Sequence, residues 1–185
     1  MIRLTLAMLA ALGSMSARAA DRPVDYTRSE IGFSVKQMGV AVSGTFRHFT
    51  AHVNLDPAKI EAASAEISVD IASITTGTDE GDQTAVDKPW LDAVGFPKAT
   101  FKSASVRALG NDRYEASGEL ALKGKPRPVT VPFTLKKQAD GSTVAAGDIQ
   151  IHRTDFGIGG GEWNEGDLVS NDVPIHFRLT LGAPR

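Results

Sequence analysis

The chain has no cysteine. That excludes disulfides, thiol nucleophiles, cysteine zinc sites, covalent haem attachment and a lipid-modified cysteine. Aromatic residues are scarce: among 185 residues there are Trp 2, Tyr 2 and Phe 8. An outer-membrane barrel carries aromatic girdles at both interfaces, and this chain lacks the residues to build them. The apolar run from Leu4 to Gly13 is too short for a spanning helix, which needs about 20 apolar residues. A strong charge of one sign is missing too, with 20 basic residues against 22 acidic ones and a net charge of −2. This balance argues against nucleic acid or an anionic membrane surface as a partner. There is no P-loop and no Gly-x-Ser-x-Gly elbow. Nothing in the sequence assembles a nucleophile, a base and an orienting group, so no catalytic residue is assigned and the chain is read as a non-enzyme.

What is present begins with an export signal. Arg3 gives a positive n-region, Leu4 to Gly13 an apolar h-region, and Ala17-Arg18-Ala19 a small-x-small cleavage site. Residues 1–19 are therefore read as a secretory signal peptide, with a mature periplasmic chain starting at Ala20. Arg3 and Arg18 leave with the signal, so the mature net charge falls from −2 to −4. The remaining residues, 20–185, suffice for one domain with its own core.

Alternation dominates that domain. Ile31, Phe33 and Val35 alternate with polar or small residues, as do Ile67, Val69 and Ile71. The same holds for Tyr114 to Leu122, Val129 to Leu135 and Val173 to Leu181. A period of two means strands with one apolar and one wet face. Weaker strands fit at 41–56, 98–108 and 142–152. Asp56-Pro57, Gly110-Asn111-Asp112, Lys123-Gly124 and Asp140-Gly141 supply turns, and the short links from residue 98 onward predict a meander. Pro132 inside a strand must sit at an edge or a bulge. The fold class is all-β: apolar faces turn inward, in a closed barrel or a sandwich. An eight-stranded barrel is just wide enough for core side chains or one small ligand.

Two stretches break the pattern. In 78–95, Asp87 is expected to cap a short helix with Trp90, Leu91 and Val94 on its apolar side and Gly95 at its end. Residues 154–171 are Gly-rich, contain Trp163 and read as a long functional loop. Gly157 to Glu162 imitates a dinucleotide loop, but Glu162 occupies the place of a required glycine and no βαβ unit surrounds it. His48 and His52 share a strand face with no third ligand nearby, and His152 and His176 fall on polar faces, so no metal and no cofactor is expected.

Several segments resemble the YceI-like family of exported, lipocalin-like barrels that bind polyisoprenoid or other long-chain lipids. In chain order they are Gly44-Thr45-Phe46 with Phe49, Ser73 to Thr76, Trp90-Leu91-Asp92, Phe96-Pro97-Lys98-Ala99-Thr100-Phe101, Gly118 to Gly124, Arg153-Thr154-Asp155-Phe156-Gly157-Ile158-Gly159 and Val173-Pro174-Ile175. Thr84-Ala85 and Trp90-Leu91 stand where many relatives carry His-Leu and Phe-Phe. The resemblance implies an apolar tunnel inside an eight-stranded antiparallel lipocalin-like barrel, with the 78–95 and 154–171 segments near its mouth. Candidate ligand-binding residues are Phe33, Phe46, Phe49, Ile67, Val69, Ile71, Trp90, Leu91, Phe101, Leu120, Phe133, Arg153, Phe156, Trp163 and Phe177. Arg153 can donate to a head-group oxygen or pair with Asp155, and Trp163 can cover a chain while its N–H reaches a head group. The implied function is a carrier for an isoprenoid lipid, quinone- or polyprenyl-like. The alternative is a non-catalytic stress-related interaction protein, or a partner of a membrane redox protein, with a filled core. A homodimer is compatible with either.

Overall fold

Every alternating segment of the sequence is a strand in the computed structural model, which describes residues 21–163 and 168–183. The expected signal peptide over 1–19 lies outside the described residues. The strands are β1 (Asp21–Arg22), β2 (Glu30–Gln37), β3 (Val40–Phe46), β4 (Phe49–Asn54), β5 (Ser64–Asp70), β6 (Ile74–Thr75), β7 (Lys98–Gly110), β8 (Arg113–Leu122), β9 (Lys125–Lys137), β10 (Thr143–His152) and β11 (Asp172–Leu181). They form one 11-stranded sheet in the order β1-β4-β5-β7-β8-β9-β10-β11-β2-β3-β6, antiparallel in each pairing. The fold class is as expected. The count exceeds eight because β1 and β6 have only 2 residues each and because the expected strand over 41–56 is broken at Arg47-His48 into β3 and β4.

Two short segments curl this sheet. Asp21 and Arg22 pair with Asn54 and Val53 of β4, and Val24 then bridges Leu181 of β11. The Asp25 N–H donates to Thr180 O at 2.8 Å and the Gly182 N–H to Pro23 O at 2.8 Å. Strands far apart in the sheet order are thereby joined at one end, here called the base. At the other end, the mouth, β6 follows closely on β5 yet pairs with Thr45 and Phe46 of β3. The outer edge of β3 over residues 40–44 has no strand partner among the described residues.

Prolines set a second seam. Pro126, Pro128 and Pro132 occupy alternate positions of β9, so their missing N–H groups fall along one edge of the strand. β9 pairs with β8 along Lys125–Thr134, but its ladder to β10 stops at Phe133↔Gly147. Pro132 therefore sits where one side of the strand is unpaired, as its ring requires. At that point a Cβ on Gly147 would come within 2.2 Å of Pro132 O, so only glycine permits the approach.

The helical expectation needs correction. Helix α1 spans Asp79–Val86 and is capped by Thr78, whose hydroxyl accepts from the Gly81 N–H at 3.1 Å. Asp87 closes the C-terminal end of this helix and does not start another. The chain then turns through 88–95. Trp90 and Leu91 pack on the core, whereas Val94, expected on the apolar side, is 97% exposed. The signal for the true start was Thr78 followed by Asp79, Glu80 and Asp82, since acidic residues favour a helix's first turn.

Candidate functional site: an apolar cavity along the barrel

The inward faces pack in clusters but do not fill the interior. They enclose a cavity of about 880 Å³, at the upper end of the roughly 300–1,000 Å³ typical of small-molecule sites. Its wall runs from Leu55, Ala145, Leu179 and Leu181 at the base to Leu122, Ile151, Ile158 and Val169 near the mouth. Among the candidate residues Phe33, Phe46, Ile67, Val69, Ile71, Trp90, Leu91, Phe101, Leu120, Phe133, Arg153 and Phe177 line it. Phe49, Phe156 and Trp163 stand off the wall. Phe49 packs edge-on against Tyr26 with ring centroids 5.4 Å apart. Phe156 is buried in the cluster of apolar residues behind the wall near the mouth. Trp163 backs Trp90 at 5.8 Å between centroids.

Arg153 is 2% exposed and does not pair with Asp155. Its Nε donates to Ser170 O at 3.2 Å, its Nη1 to Ile158 O at 2.9 Å and Gly159 O at 2.7 Å, and its Nη2 to Val169 O at 2.9 Å and to Trp163 O. A guanidinium has five N–H donors, and all are used on backbone carbonyls of the 158–171 segment. None is left for a head group. Burial lowers its pKa from the usual arginine value. The guanidinium carbon also lies 5.9 Å from the Trp90 ring centroid. Gly159, at φ +65, places its backbone where a Cβ would meet Arg153 Nη1 at 2.7 Å and the Trp90 ring at 2.9 Å. Arg153 thus ties the mouth loop to the barrel.

Lys123 does related work outside the cavity. Its Nζ donates to Lys88 O at 2.8 Å, Pro89 O at 3.1 Å and Gly157 O at 3.0 Å, clamping the 88–89 turn to the 153–157 turn. Desolvation of the ammonium lowers its pKa.

Residues outside the candidate ligand-binding set cluster at the mouth. Gln37, Ala41 and Ser43 of the β2–β3 hairpin and Thr78, Glu80 and Thr84 of the α1 segment line the cavity and are exposed to solvent. The cavity therefore reaches the surface between the unpaired edge of β3 and α1. Thr84 and Ala85 both belong to that rim. At the base, Asn54 also lines the cavity, and its Oδ1 is buried without a hydrogen-bond partner among the described residues. The histidines lie elsewhere: His48 in the break between β3 and β4, and His52 opposite Glu66.

The YceI-like domain profile matches residues 23–181. The chain belongs to the YceI-like family. A UPF0312 protein of Azotobacter vinelandii is 32% identical over 138 residues, covering 71% of this chain and 72% of that one. A UPF0312 protein of Pseudomonas fluorescens is 32% identical over 174 residues, covering 85% and 88%. The structure is similar to that of Burkholderia cenocepacia BcnA, with TM-score 0.82 and 35% identity over 85% of this chain and 99% of BcnA. A polyisoprenoid binding domain from Saccharophagus degradans shares the fold, with TM-score 0.67 and 18% identity over 90% of this chain and 99% of that domain. Within this YceI-like chain no helix of the described residues is long and apolar enough to cross a membrane.

Proposed function

We propose that this YceI-like protein is a non-catalytic carrier of a long-chain isoprenoid lipid, quinone- or polyprenyl-like, exported to the periplasm by cleavage after Ala19. The carrying observation is the apolar cavity of about 880 Å³ that follows the barrel from base to mouth. Each buried CH₂ of a ligand contributes about 0.8 kcal/mol, so a long hydrocarbon tail needs no charged anchor. The open space lined by Ile67, Leu120, Val173 and Ile175 favours this reading over a filled core. The polyisoprenoid binding domain of the same fold lends the ligand class its support.

Extraction of the purified mature protein with organic solvent, followed by mass spectrometry, is the direct test. A stoichiometric prenyl lipid is expected. Stripped protein should then show saturable quenching of Trp90 fluorescence by a short-chain quinone, still present in Trp163→Phe. No co-purifying lipid and no saturable quenching would remove the carrier reading. N-terminal sequencing of periplasmic material is expected to begin at Ala20, and an intact Met1 would overturn the export reading.

A further inference from the structure

Within the carrier reading, on which this inference rests, the mouth determines which head group the lipid carries. We infer that the portal between β3 and α1 receives an uncharged head, a hydroxyl or carbonyl, and disfavours a phosphorylated one. Polar side chains in the wall are concentrated there: Gln37, Ser43, Thr76, Thr78 and Thr84, with Glu80 beside them. Gln37, Ser43 and Thr84 make no side-chain hydrogen bond among the described residues, so a neutral head finds both donors and acceptors.

An anionic head finds no counter-charge. The described wall carries two charged residues, Glu80 and Arg153. All five donors of Arg153 are spent on carbonyls. Glu80 is flanked by Asp79 and, in the same helical turn, by Asp82. Asp82 accepts from the Thr76 N–H at 2.5 Å and from the Thr76 hydroxyl at 2.9 Å. The first of these contacts is the main cause holding its carboxyl below the usual range. Arg47 lies near enough to act on Asp82, but it is not part of the wall. The start of α1 offers an anion little, because Thr78 already accepts from Gly81 and the acidic first turn opposes further negative charge.

The test compares two lipids with one tail, geranylgeraniol and geranylgeranyl phosphate, on lipid-stripped mature protein by calorimetry at about 0.15 M salt. The alcohol is expected to bind roughly tenfold tighter or more, since like charges set side by side oppose association. In Glu80→Gln the ratio of the two affinities should fall about threefold, by tighter phosphate binding. Equal or tighter binding of the phosphate by the native protein overturns the inference and leaves the carrier reading standing. So does an unchanged ratio in Glu80→Gln. Failure of both lipids to bind overturns the carrier reading itself, and the inference with it.

Discussion

The base and the mouth of the barrel each hold a buried arginine with no carboxylate partner among the described residues, yet the two arginines serve different ends. Arg22, 8% exposed, donates to Leu55 O at 3.0 Å, Thr143 Oγ1 at 3.0 Å and Gly182 O at 3.5 Å. Its partners come from different strand ends or just beyond them, so it laces together elements that backbone pairing already holds. Arg153 donates only to carbonyls of one irregular segment, which also meets the end of β2 through Met38 N–H to Leu168 O and Ser170 N–H to Lys36 O. One arginine reinforces a sheet; the other organises a loop. A polar group buried without a partner costs about 1–3 kcal/mol, so the two should differ in what their loss leaves behind.

The largest expected effect is therefore at the mouth. Arg153→Met orphans several carbonyls at once and should destabilise by about 3–5 kcal/mol. Chemical denaturation would measure it, and loss of the Trp90–Trp163 contact should appear in near-ultraviolet circular dichroism. Arg22→Met should cost less, about 1.5–3 kcal/mol, leaving the mouth spectrum unchanged. Equal losses for both would remove the distinction drawn here.

Between the two ends the wall itself can be tested. A buried phenylalanine truncated to alanine in a packed core costs about 3–5 kcal/mol. Phe101 and Phe133 border open space, so Phe133→Ala in stripped protein should fall below that range. Loaded protein should lose more than stripped protein. Identical losses in the two forms would return the argument to a filled interior.

The smallest effect is at the base and depends on pH. Asp140 accepts from Ser142 Oγ at 2.6 Å, Arg28 Nη1 at 2.8 Å and the Ser142 N–H at 2.9 Å. The Ser142 hydroxyl first, then Arg28, holds its carboxyl well below its ordinary value of 3.8. A depressed folded-state value stabilises above the unfolded one, and that contribution fades as pH falls through the folded one. Asp140→Asn should lower the melting temperature at pH 7, with the gap narrowing as melts are taken further below 3.8. A gap that stays constant with pH would contradict this.

Legibility in the sequence followed the range of the interactions. Strand segments and inward faces were readable because alternation is local: Ile31, Phe33 and Val35, or Val173 to Leu181, line the cavity in the register that their spacing implies. Pro132 also carried a local message, that β9 would lack a partner on one side there. The roles of Arg153 and of the portal were not readable. Each depends on residues distant in sequence, carbonyls at 158–170 for one and the β2–β3 hairpin against α1 for the other. Asp87 misled because aspartate suits a cap, while Thr78, nine residues earlier by number, had the acidic first turn that decides helix placement.

The cavity of about 880 Å³ has a thermodynamic consequence. Empty space made by truncating a packed core costs about 24 cal/mol per Å³, which at this volume is roughly 20 kcal/mol, more than a domain's whole net stability. A hollow of this size is therefore a feature of how the sheet is curled, not a packing fault in a closed core. Unfolding of the chain should then show a modest heat-capacity increment for its length. Loading should enlarge that increment, because wall and cargo would become hydrated together only when the barrel opens.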